Sequence, residues 1–343
     1  MAQINKPNTY FNTVLYTGNG STQSITGVGF QPDMVWTKTR SSTYPTVVTD
    51  AVRGATKNLY TSLTDAEDSS ANYLTSFNAD GFSVGSYAGV NLNGATMVGW
   101  SWLGANTTAS NTDGSITSTV STNTTSGFSI VSYTGNGTGS ATFGHGLGAT
   151  PKIVIIKRRD GADGWQFWFN NSVRLNLQAT NADYGNHPIS TSSTLVTTPS
   201  TVDTAWNTSS ATYISYCFAE KKGFSKFGSY TGNGSADGTF VYTGFKPAFV
   251  MVKRSDGVVN WQLIDNKRSD AGGNNIIDKV LAPNVNDAEY DEGSSTWCGD
   301  LLSNGFKWRG DWGALNASGG NYIYMAFAEN PLVGTNNIPT TAR

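Results

Sequence analysis

Short runs of alternating large and small residues recur three times along this chain. Val98, Trp100 and Trp102 share one parity, with Gly99 and Ser101 between them; Ile214, Tyr216 and Phe218 enclose Ser215 and Cys217; Ile323, Met325 and Phe327 enclose Tyr324 and Ala326. A period of two with the bulk on one side predicts a strand with one face in a core. Upstream of each run a proline opens an apolar stretch: Pro32 before Met34-Val35-Trp36, Pro151 before Ile153-Val154-Ile155-Ile156, and Pro247 before Phe249-Val250-Met251-Val252. A lysine stands six residues past each proline, at Lys38, Lys157 and Lys253.

Further offsets agree. Tyr-Thr-Gly-Asn-Gly occurs at 16–20, 133–137 and 230–234. Eight residues past the lysine the second and third copies read Trp165-Gln166 and Trp261-Gln262, where the first has Thr46-Val47. The first and third copies then carry Asp50 with Arg53 and Asp265 with Arg268, where the second has Phe169 and Ser172. Fixed self-similarity of this kind marks a repeat architecture. The reading is an N-terminal arm (1–10), three units (11–104, 127–220 and 221–330), a Ser/Thr/Asn-rich linker or edge-lying arm (105–126) and a C-terminal tail (331–343).

Asn-Gly after a β-favouring Tyr-Thr predicts a hairpin, since both turn residues need positive φ. Asp-Gly and Asn-Gly pairs elsewhere supply more turns, and only 72–77 and 275–281 suggest helix. The fold class is all-β, as three tandem β-sandwich units of about a hundred residues each.

Composition narrows the function. Charged residues are 13% of the 343 and the net charge is −2, which argues against nucleic-acid binding. No run reaches the length of an apolar membrane helix, so no membrane insertion is expected. The opening Met-Ala-Gln-Ile-Asn-Lys-Pro has no apolar stretch, so no signal peptide is expected. Two cysteines, Cys217 and Cys298, make neither a disulfide framework nor a zinc cluster. His145, in Gly-His-Gly, and His187, before Pro188, read as turn or loop residues rather than catalytic bases. Gly135-x-Gly137-x-Gly139 opens no helix and is no phosphate loop.

The Tyr-Thr-Gly-Asn-Gly units, Gly-His-Gly-Leu-Gly at 144–148, the stretch 244–254 and Tyr-Ile-Tyr-Met-Ala-Phe-Ala-Glu-Asn-Pro at 322–331 resemble a domain common in virion proteins of marine bacteriophages and cyanophages. The resemblance runs from about Phe11 to Pro331. It implies a concanavalin-like or jelly-roll sandwich of uncharacterised activity, in a phage structural or tail-associated protein assembled in the bacterial host cytoplasm. Implied partners are other virion proteins, further copies of the chain and a host surface glycan. Capsid decoration, a head fibre and a glycan-binding lectin are the alternatives.

No catalytic constellation stands out, so no enzyme is expected. Asp287, Glu289, Asp291 and Glu292 cluster in one loop, which reads as a solvated edge or a calcium site; no other cofactor is expected. Asp65-Ala66-Glu67-Asp68 is the acidic counterpart in the first unit. The Asp50/Arg53 and Asp265/Arg268 pairs read as exposed loop braces. Ten tryptophans exceed what small cores need, and Trp165, Trp261 and Trp168 are the candidates for a surface that binds glycan by ring stacking.

Overall fold

The computed structural model describes residues 3–187, 189–269, 276–291, 299–334 and 339. Antiparallel strands dominate, and one strand order recurs in three large sheets. In the first repeat the opening strand Phe11–Thr17 pairs with the closing strand Thr96–Trp102, which pairs with the second strand Met34–Thr39, then the third, Val47–Asp50. Phe128–Thr134, Thr212–Phe218, Ile153–Arg158 and Gln166–Phe169 take these places in the second repeat; Ser225–Thr231, Asn321–Pro331, Phe245–Arg254 and Gln262–Asp265 do so in the third. Register matches too: Met34 faces Trp102, Ile153 faces Phe218 and Phe249 faces Phe327. A smaller sheet pairs with each large one, including Gln23–Thr26, Thr142–Gly144 and Phe240–Tyr242 respectively.

The alternation seen in the sequence resolves into two cores per sheet. The bulky parity of all three closing strands enters a single shared core, together with Trp36, Ile155 and Met251 of the second strands. The other parity packs on the smaller sheets, with Val35, Val154 and Val250 each in a separate outer core. Both faces of the inner strands are therefore buried, which is why the second strands read as unbroken apolar runs. Aromatic contacts cross between repeats in the shared core: the Trp102 and Phe327 ring centroids are 5.8 Å apart, those of Phe218 and Phe327 6.0 Å, and those of Phe11 and Phe249 5.4 Å. Each repeat thus completes a core that it does not own alone.

Tyr-Thr-Gly-Asn-Gly is not a hairpin. The strands on either side of it belong to different sheets, so the motif is the crossover between the layers. It is fastened by an asparagine seven residues ahead of the closing strand's first bulky residue. Asn19, Asn136 and Asn233 donate their backbone N–H to Asn91, Asn207 and Asn316, whose amide nitrogens donate back to the side-chain oxygens of the first three. The first glycine of the motif leaves no room for a side chain: a Cβ on Gly18, Gly135 or Gly232 would meet a carbonyl oxygen at 2.1–2.3 Å. The second, at Gly20, Gly137 and Gly234, has φ of +63° to +69°.

Asn207→Ala should strand the Asn136 N–H and the Thr138 carbonyl and lower stability by about 1–3 kcal/mol. Asn207→Asp keeps the acceptor but points a carboxylate at two oxygens, so its loss relative to wild type should be larger at neutral than at acid pH. Urea unfolding at both pH values checks this; equal losses would contradict it.

Two further expectations are corrected. The 72–77 region holds the strand Leu74–Asn78, and the described part of 275–281 holds Ile276–Ile277 and Lys279–Val280, because tertiary pairing overrides the local pattern. The only α-helix among the described residues is the four-residue Ala88–Asn91. Of the two readings for residues 105–126 the edge-lying arm is the one found: Ala109–Asn111 and Ser118–Asn123 extend the second repeat's large sheet along the outer edge of its opening strand. Buried Asp33 holds this arm, accepting from the Gly104 and Asn106 N–H groups and the Ser121 hydroxyl.

Candidate functional site

The chemistry-bearing residues converge on the junctions between repeats, which follow one cyclic pattern. The acidic loop of the first repeat docks on the second, where Glu67 N–H donates to the Arg159 carbonyl at 2.7 Å. The equivalent loop of the second docks on the third through Asp183 and Ser255, and that of the third on the first through Glu289 and Arg40, each also at 2.7 Å. Arg40, Arg159 and Ser255 all lie two residues past the repeated lysine. A head-to-tail contact repeated around a ring closes it.

Two junctions carry ion networks. The Glu67 carboxylate is clasped by Arg159 of the next repeat at 2.9 and 3.0 Å and by Arg53 of its own at 3.4 Å. Glu289 is held in the same way by Arg40, at 2.7–3.1 Å, and by Arg268 at 2.8 Å. Behind them lie Arg53–Asp50 and Arg268–Asp265, at 2.5 and 2.6 Å. These pairs are not exposed braces, because their side chains have no solvent exposure at all. Burial opposes ionisation of both arginines and of Glu67, but the opposing charges outweigh it, raising the arginines and holding Glu67 below its ordinary range.

The neighbouring closing strand explains where the pair is kept. Asp50 accepts from the Tyr216 hydroxyl at 2.7 Å and Asp265 from Trp100 Nε1 at 2.9 Å. At the third junction the same register position is Met325, which offers no such donor, and the second repeat places Phe169 there in the shared core. The acid is kept where the neighbouring strand supplies a donor.

The tryptophan candidates are also corrected. Trp165, Trp261 and Trp168 are at most 1% exposed and present no face to a ligand. Trp165 Nε1 donates to the Tyr60 carbonyl of the first repeat at 2.8 Å, and Trp261 Nε1 to the Asn176 carbonyl of the second at 3.2 Å. Their recurrence marks the seams. Trp168 packs in the second repeat's outer core, 6.2 Å from Trp206. What the surface does offer is Phe240 and Tyr242, 43% and 58% exposed on one face of a strand in the third repeat's outer sheet. A polar cleft of about 290 Å³ also opens between Asn8, Asn12, Asn266 and Asn330.

Lys38, Lys157 and Lys253 are buried and bonded to carbonyls: Tyr44 and Val285, Thr64 and Arg158, and Arg254 and Gly257. Burial pulls each ammonium down to about 8. Between that value and the ordinary lysine range the unfolded chain holds more protons, so stability rises with pH; below it both states are charged and the burial cost is undiminished. Cys217, pushed up to about 12, and buried tyrosines such as Tyr133 act the other way, favouring the unfolded chain once their ordinary ranges are reached. The thermal midpoint should therefore climb from about pH 7.5 to about 9.5 and fall beyond about 10. Melting curves across this range check it. Lys157→Met should flatten the climb, and a midpoint already falling at pH 8 would refute the assignment.

His145 is buried, its Nδ1 accepting from Leu147 N–H and its pKa lowered by burial. His187 sits 3.0 Å from Asp183. Of the proposed calcium ligands, Glu289 is committed to two arginines and Asp287 accepts from the Tyr290 hydroxyl at 2.6 Å. The Asp291 side chain, Glu292 and Cys298 lie outside the described residues. Among the described residues no group of three His, Cys, Asp or Glu could hold a metal ion.

Sequence reasoning missed the Asn91, Asn207 and Asn316 locks, although their constant distance from the closing strand was there to be read. Asp33 gave no such signal, since Lys152 and Ala248 replace it in the other repeats. A family model described as a domain of unknown function (DUF7483) matches residues 6–331, across all three repeats. No curated protein and no solved structure matches the chain.

Proposed function

We propose that this chain, which belongs to the DUF7483 family, is a non-enzymatic structural component of a bacteriophage particle, acting at the tail through the surfaces of a rigid body. The carrying observation is the cyclic set of junctions. The arginines, carboxylates and tryptophans singled out in the sequence lock three repeats around one core. The resemblance of the repeated motifs to phage virion domains supplies the particle, and assembly then takes place in the host cytoplasm alongside other virion proteins. Mass spectrometry of separated heads and tails tests this. Recovery at fixed stoichiometry in the tail fraction is expected; absence from purified particles would refute it, and recovery in heads would favour capsid decoration.

A second reading, attachment to a host glycan, rests on Phe240 and Tyr242. Solvent-facing rings two residues apart on a strand form a flat apolar strip suited to stacking. Soluble protein should then block adsorption of the phage, and the Phe240→Ser/Tyr242→Ser variant should not. Equal blocking by both proteins would remove these rings from the contact.

A further inference from the structure

The three opening strands are equivalent, but their outer edges are treated differently. In the second repeat the edge of Phe128–Thr134 is covered by Ser118–Asn123, an uncharged Ser-Thr-Val-Ser-Thr-Asn strand. In the third, the preceding chain folds over the edge of Ser225–Thr231: the Glu220 carboxylate accepts from Phe227 N–H, and the Lys221 carbonyl accepts from Ser225 N–H. In the first, Phe11–Thr17 pairs among the described residues with the closing strand alone.

Its pairing fixes which groups face outward. Gly18 N–H donates to Ala95 O and Leu103 N–H to Tyr10 O, so even positions bond inward and Phe11, Thr13, Leu15 and Thr17 turn their backbone groups to the outer edge. Asn12 Oδ1 accepts from Thr13 N–H, and Gln23 Nε2 donates to the Thr17 carbonyl. The N–H and C=O of Leu15 have no partner among the described residues. The strand carries no charge and no proline, and the Leu15 side chain is 41% exposed. Natural edge strands are ordinarily blunted by such features. The first half of this edge is closed, Phe11 and Thr13 being 1% and 4% exposed, and the open part is Leu15–Thr17.

We propose that this edge takes up an extended, uncharged Ser/Thr/Val-rich segment of a different protein as an added antiparallel strand. Residues 118–123 define the chemistry of the occupant, since they fill the equivalent edge within this molecule. Superposing the two edges sets the register at the open part: the position of Thr119, opposite Ser132, falls opposite Leu15. The proposal does not depend on the virion assignment.

Amide hydrogen exchange of the full chain, with and without a synthetic peptide of residues 117–124, tests it. The peptide should protect the Leu15 and Thr17 amides. Leu15→Pro removes only an outward donor and no bond to the closing strand, so it should abolish the protection of the Thr17 amide with little change in melting temperature. Leu15→Lys, which keeps the backbone and charges the edge, should weaken peptide binding by about tenfold or more. Absence of protection in the wild type, or equal protection of the Thr17 amide in Leu15→Pro, would overturn the proposal. So would concentration-dependent dimerisation of the peptide-free chain that Leu15→Lys abolishes, because the edge would then serve a second copy.

Discussion

Arg53→Met should destabilise the protein by about 3–5 kcal/mol, the usual loss when one partner of a buried ion pair is removed. The deletion leaves Asp50 without its cation in a place with no solvent. It also frees the Val48 carbonyl, which accepts from Arg53 Nη2 at 2.9 Å, and removes one of the two guanidiniums holding Glu67. Arg268→Met should behave alike, through Asp265, the Leu263 carbonyl and Glu289. Guanidinium unfolding is the measurement, read as a fall in midpoint at unchanged slope. A loss below about 1 kcal/mol would mean that water reaches the site and that it behaves like a surface pair.

The second repeat points to the compensating change. Phe169 and Ser172 stand at the positions of the pair, and the third repeat's closing strand carries Met325 at the position of Tyr216 and Trp100, Phe169 and Met325 both lying in the shared core. Adding Asp50→Phe and Tyr216→Met to Arg53→Met should therefore recover much of the lost stability, because the buried charge and its hydroxyl donor leave together. Any shortfall measures what Arg159 and Glu67 contribute without Arg53.

The fold class could be read because a period of two is a local property, and the sequence carries it undamaged in three places. Which side of each strand meets which partner is not local. Val98, Trp100 and Trp102 read as one face in a core, but nothing in their spacing says that the core is assembled from three repeats. The same limit explains the tryptophans: Trp165 and Trp261 follow shortly after Asp-Gly turns, so their place in sequence suggests a loop in solvent while their neighbours in space belong to another repeat. Glu67 and Glu289 looked like members of solvated acidic loops, because one of the two arginines that clasp each lies 92 or 249 residues away, in another repeat. The tyrosine of Tyr-Thr-Gly-Asn-Gly was legible as a strand end, yet the hairpin reading failed because a distant asparagine, rather than the next strand, satisfies the turn.

Trp261→Ala should cost about 3–5 kcal/mol, as expected for truncating a fully buried indole. The ring lies across a seam, 4.7 Å from Phe167 of the second repeat in an edge-to-face arrangement, and its Nε1 reaches the Asn176 carbonyl. Removing it opens a cavity in the shared core and leaves that carbonyl unpaired. Trp261→Phe keeps most of the volume and loses the hydrogen bond, so its cost should be nearer 1–2 kcal/mol. Trp165→Ala should match the larger figure through the Tyr60 carbonyl. Because the shared core joins all three repeats, each loss should appear as a shift of one unfolding transition followed by tryptophan fluorescence and circular dichroism together. Were Trp261→Ala instead to split the transition into separate steps, the third repeat would be folding on a core of its own, and the closed ring would not be the unit of stability.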